Sequence, residues 1–126
     1  MNQWELERRT RVFALGVLRF VSAIRQTNLT SILCRQLMRA GTSVGANYPE
    51  ANRAESRKDF VHKIAIVEKE AAETQYWLEL FNDAKIGESN NRKELLRECS
   101  ELLAIFTRAG RTAKFAIRNS QFPIPE

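Results

Sequence analysis

Glycine and proline are scarce in these 126 residues, five and three respectively. That scarcity excludes a collagen-like repeat and a low-complexity linker, and it disfavours a turn-rich all-β domain. No apolar run approaches the ~20 residues that span a bilayer, so no membrane partner is expected. The opening residues, MNQWELERRTRVF, are charged from the start and hold no apolar stretch followed by a small-residue cleavage site. A secretory signal is therefore not expected, and a cytoplasmic location is. Cysteine occurs only at positions 34 and 99. The two are far apart and match no zinc, redox or secreted-scaffold spacing, so Cys34 and Cys99 are read as buried free thiols.

The chain is equally poor in the parts of an active site. Its single histidine, His62, has no second His at a ligand spacing and is read as a helix-surface side chain. Glu68, Glu70 and Glu73 lack the Glu-x-x-His partners that carboxylate di-iron bundles require. The stretch TSVGAN at 42–47 lacks the Gly-Lys-Ser/Thr of a phosphate-cradling loop. No catalytic residue, metal site or cofactor is expected.

What is present is a helical pattern. Hydrophobic residues make up 44% and charged residues 28%, a balance suited to one folded domain of this length. An apolar spacing of four and three occurs four times, as it does when a helix lays one stripe on its neighbours. The stripes begin with Leu6, Thr10, Phe13, Val17; with Leu33, Leu37, Ala40, Val44, Asn47; with Phe60, Ile64, Val67, Ala71; and with Leu95, Cys99, Leu102, Phe106. They predict helices over 4–26, 30–54, 57–85 and 90–119 in an all-α, up-and-down antiparallel four-helix bundle spanning 1–126. TNLTS at 27–31 offers caps between the first two helices. Ser56 with Asp59 resembles a capping box, and GESNN at 87–91 separates the last two helices. The tail 121–126, QFPIPE, carries two prolines and is not expected to be helical. Pro49 conflicts with the second stripe, and a kink or local break is expected between Gly45 and Glu50.

Two surface features point outward. Helix three has a second apolar face of Ile66, Tyr76, Trp77 and Leu80, which fits either a contact between copies or a helix packed on two sides. Ten Lys or Arg face four acids in residues 1–58, three face seven in 59–90, and seven face four in 91–126. An acidic third helix among basic ones suits head-to-tail association or pairing within the bundle. Arg8, Arg11 and Arg19 lie opposite the core stripe of helix one. Arg108, Arg111, Lys114 and Arg118 form a run without an intervening acid. Such stripes are the footprint of a phosphate-backbone binder for RNA or DNA, or of an ordinary solvated face. A scaffold that recruits a protein partner is the other role such a surface would fill.

Residues 36–80 carry a more specific pattern: Ser43, Gly45, Ala46, Asn47, Glu50 and Ala51, then Ser56, Phe60, Lys63, Lys69, Glu70, Ala71, Glu73, Tyr76, Trp77 and Leu78. This segment resembles the 23S ribosomal RNA intervening-sequence proteins, with Pro49 departing from their helix-compatible residue. The resemblance implies a four-helix bundle assembled as a ring-shaped homopentamer. It is also similar to a related branch, the accessory variability determinants of diversity-generating retroelements, which implies a basic pentamer that binds nucleic acid beside a reverse transcriptase. On the residues themselves, Ser43, Asn47 and Glu50 stand near a seam of small residues. Glu70 and Glu73 would reach them from helix three or pair with Arg39 and Arg53, giving a buried polar network that sets helix register.

Overall fold

A computed structural model describes residues 1–120; the proline-containing tail 121–126 lies outside the described residues. The chain forms α1 (Gln3–Ser22), α2 (Asn28–Asn52), α3 (Arg57–Ala84) and α4 (Ser89–Ser120). The all-α reading and all four helices of the sequence pattern are present. Consecutive helices pack on one another and α1 meets α4, while among the described residues the diagonal pairs do not approach backbone to backbone and meet only through side chains in the core. That pattern is the up-and-down bundle. Its α1–α4 side is the thinnest.

Each helix begins where a side chain takes over an orphan amide. Asn2 accepts from the Glu5 amide at 2.9 Å, and Thr27 and Thr30 satisfy each other's amides at the start of α2. Ser56 accepts from the Asp59 amide at 3.0 Å, but the Asp59 carboxylate returns to the Glu55 amide rather than to that of Ser56. Glu88 caps α4 by accepting from the Asn91 and Asn90 amides at 2.7 and 3.1 Å. Those two donors hold its carboxyl below the usual range. Helix α1 stops at Ser22, earlier than expected, because residues 23–27 are needed to reverse the chain and to place the Thr27 cap.

The expected break at Pro49 does not occur: α2 remains helical through Asn52. Pro49 stands three residues from the helix end, so it removes one ladder bond, to Gly45. The last turn is held by buried Tyr48 and Ala51 and by the Arg53 amide donating to the Pro49 and Glu50 carbonyls. Gly45 serves a purpose other than easing the proline ring. A Cβ there would lie 3.2 Å from the Thr10 carbonyl oxygen, so its absence lets α1 run close against α2.

The core is built from the expected stripes. Phe13, Val17 and Phe20 meet Leu37, Val44 and Tyr48, and Ile64, Val67, Leu78 and Phe81 meet Cys99, Leu102 and Phe106. Full burial of such side chains contributes about 1.5–3 kcal/mol each. Two ring pairs cross the bundle: Phe20 with Phe81 at 5.9 Å between centroids and Tyr48 with Phe106 at 5.4 Å. Thr10 and Thr74 are fully buried, and their hydroxyls donate to the carbonyls of Glu7 and Glu70 on their own helices.

The α3–α4 turn is the tightest part. Lys85 takes a left-handed conformation, and Gly87 follows at φ +86°. A Cβ on Gly87 would lie 2.4 Å from the Phe20 ring. Gly87→Ala should lower stability by about 2–4 kcal/mol, combining left-handed strain with overpacking. Urea denaturation checks this, and an unchanged midpoint would refute the account of the turn.

Candidate nucleic-acid interface

The seven basic residues predicted for a phosphate-binding surface are all exposed: Arg8, Arg11 and Arg19 on α1, and Arg108, Arg111, Lys114 and Arg118 on α4. None takes part in an ion pair among the described residues, whereas many of the acids are engaged. Arg9 on α1 donates to Glu98 at 2.7 and 2.6 Å and to Glu101 at 2.5 Å. Lys63 pairs with Asp59 at 2.9 Å, and Glu68 accepts from the Thr107 hydroxyl. The positive charge left over is therefore concentrated on free side chains.

The two basic stripes do not merge. Glu94 and Glu98 line the α1–α4 groove beside Arg19, and Glu101 joins them through Arg9. An acidic seam thus separates α1's arginines from those of α4. The surroundings differ as well. The α1 face carries exposed Trp4 and Val12, 66% and 60% accessible, together with Leu15 and Leu18. Leu29, Ile32 and Met38 are exposed on α2. On α4 the one exposed large apolar side chain among the described residues is Phe115. These apolar residues went unnoticed in the sequence because the heptad stripes assign them to the polar side, where their exposure is decided by what the neighbouring helices leave uncovered.

The second face of α3 divides. Ile66 and Tyr76 are exposed and Leu80 is half-buried, but Trp77 packs against the core. Tyr76 stacks edge-on against it at 5.0 Å, and the Trp77 indole nitrogen is buried without a hydrogen-bond partner. Trp77 thus belongs to the bundle's own packing, because its position on α3 turns it toward the core's edge rather than outward.

The anticipated buried network is not formed. Ser43 and Asn47 donate to the Arg39 and Ser43 carbonyls of their own helix, and Glu50 is exposed beside Arg53. The link between α2 and α3 runs instead through Arg39, which is half-exposed and reaches Glu70 at 3.4 Å and also Glu73. Of the two pairings open to Glu70 and Glu73, the bundle uses Arg39. An ion pair so placed contributes at most about 1 kcal/mol.

Among the described residues, no group of three or more His, Cys, Asp or Glu is placed to hold a metal ion, and His62 is exposed. Cys99 is buried and donates to the Ala71 carbonyl. Burial, helped by Glu98 and Glu79, pushes its thiol up to about 12. Burial also raises the Cys34 thiol. An open pocket of about 740 Å³ lies between the α2–α3 turn and the end of α4, lined by Phe60, Ile105 and Ala113 together with Arg57 and Arg108. No helix of the described residues is long and apolar enough to cross a membrane.

Residues 3–108 match the family model described as 23S rRNA-intervening sequence protein. A crystal structure of a protein of unknown function from the S23 ribosomal protein family of Bacteroides thetaiotaomicron is similar at TM-score 0.76 and 28% identity. The alignment covers 83% of this chain and 97% of that one. No curated protein matches.

With both thiols protonated and covered, a thiolate-selective reagent at pH 8 should leave the native protein unmodified and label both cysteines once it is unfolded. Mass spectrometry reads the outcome. Rapid labelling of Cys99 in the folded protein would overturn its assignment as inert.

Proposed function

This chain belongs to the 23S rRNA-intervening sequence protein family, and from that premise we propose a non-enzymatic module that assembles with its own copies and holds RNA or DNA by the phosphate backbone. The observation that carries the reading is the set of exposed basic side chains on α1 and α4 that have no ion-pair partner among the described residues. Unpaired Arg and Lys on one face release counterions from a polyphosphate on binding, which gives affinity with little sequence selectivity. The α4 stripe, from Arg108 to Arg118, is the principal contact. Among the described residues of α4 that follow Glu101, no acid interrupts it.

Self-association supplies the rest. The α1 face sets Trp4, Val12 and Leu15 among Arg8, Arg11 and Arg19, while α3 exposes Ile66 and Tyr76 near the acidic Glu79 and Asp83. Because α1 and α3 sit on a diagonal, these faces point to opposite sides, and a contact between them is head-to-tail. Such contacts close into a ring when the rotation permits, here with five copies. A ring repeats the α4 stripe and multiplies its field. A scaffold that binds a protein partner on the α1 face is the competing reading, favoured by the same exposed apolar residues.

Affinity for a labelled RNA or DNA oligonucleotide, measured by anisotropy, should fall steeply with added salt. It should fall about tenfold or more at fixed low salt when Arg111 and Arg118 are both changed to Glu, since each phosphate contact adds to the salt-dependent term. Absence of binding at low salt would remove the nucleic-acid reading. Light scattering should report five times the monomer mass, reduced by Trp4→Glu with Leu15→Glu. A monomeric wild type would remove the ring.

A further inference from the structure

The family match ends at Arg108, but α4 continues to Ser120. The solved relative is nearly fully aligned while 17% of this chain is left over, the complement of the 83% covered. The last three turns of α4 therefore lie beyond the matched region, and they hold most of the basic stripe. Their composition is unlike the rest of the helix: Arg111, Lys114, Phe115 and Arg118 appear with no acid.

Register adds the second observation. Arg108, Arg111, Phe115 and Arg118 follow one another at spacings of three, four and three, so they form a single row along α4 about 15 Å long. All four are exposed, Phe115 at 62%. Lone apolar side chains are ordinary on a protein surface. Phe115 differs because it stands one turn from a guanidinium on either side, Arg111 below and Arg118 above, and among the described residues no carboxylate pairs with either. Lys114 is its immediate neighbour in sequence. A ring face flanked by cations fits a planar, π-bearing group attached to a polyanion. An unpaired nucleotide has that composition, since its base stacks on the ring while its phosphates meet the arginines. A base-paired duplex offers the same phosphates and hides the base faces.

We propose that the end of α4 is a site for unpaired nucleotides, with Phe115 as the stacking platform, Arg111 and Arg118 on the flanking phosphates, and Arg108 extending the row. This rests on the phosphate-binding reading above and adds to it a preference for single strands. Apart from Arg108, the site lies on the part of α4 that follows the family-model match.

The experiment compares a labelled 12-nucleotide oligouridine with a 12-base-pair RNA duplex across a salt series, using wild type, Phe115→Ala and Phe115→Trp. Wild type should bind the single strand more tightly at matched salt. Phe115→Ala should weaken single-strand binding by about tenfold, the loss of one stacked base, while leaving duplex binding and the salt slope in place. Phe115→Trp should retain the preference, and its indole fluorescence should be quenched by the oligonucleotide beyond the change seen in wild type. Equal affinity for single strand and duplex, or single-strand binding indifferent to Phe115→Ala, would overturn the stacking site and leave the phosphate reading standing. Failure to bind either nucleic acid at low salt would overturn both. Because Phe115 is exposed, circular dichroism of Phe115→Ala should match wild type.

Discussion

One buried cation organises the second half of the bundle. Arg92 is 6% exposed, yet among the described residues no carboxylate forms an ion pair with its guanidinium. It donates to the Asn82 side chain at 2.9 Å and to the Gly87 carbonyl at 2.8 Å. A buried charge is tolerated when hydrogen bonds replace its water, and here those acceptors belong to the end of α3 and the turn that follows it. Arg92 therefore ties α4 to the C-terminus of α3, where the helix dipole also favours a cation. With Gly87 pressed against Phe20, the turn has one geometry. The start of α4 fixes everything downstream on that helix, including Phe106 against Tyr48 and the row from Arg108 to Arg118.

The fold sorts charge as a consequence. Acids on the seams are drawn to basic partners across them, Glu98 and Glu101 to Arg9 and Glu70 and Glu73 to Arg39. Arginines facing away from the seams find none. Within the formal charge of +5, the unpaired cations on the outer faces of α1 and α4 form two groups divided by the acidic α1–α4 seam. The basic row of α4 and the exposed apolar residues of α1 therefore lie on different corners of one bundle.

The repeated four-and-three spacing sufficed for the helices and the core, because burial of one stripe is a local property of an amphipathic helix. Thr10, Cys99 and Phe106 lie inside as their spacing requires. The break allowed for at Pro49 does not form, because the turn that follows the proline is held by tertiary packing. The burial of Trp77 and of Arg92 was not legible in the sequence. Angle around a single helix does not reveal whether a neighbouring helix covers the edge of the stripe, and a lone arginine in a polar stretch carries no sign that backbone carbonyls will surround it.

Sequence by itself determined the helix count, the caps, the stripes that form the core and the surplus of positive charge, all of which depend on residues near one another along the chain. Tertiary structure alone decided which charges remain free. Whether Glu70 bonds to Ser43 or to Arg39, whether Tyr76 is covered, and whether Phe115 lies open among arginines depend on the distance and rotation of adjacent helices. Those are set by close contacts such as Gly45 against Thr10 and by the single geometry of the α3–α4 turn, which periodicity does not encode.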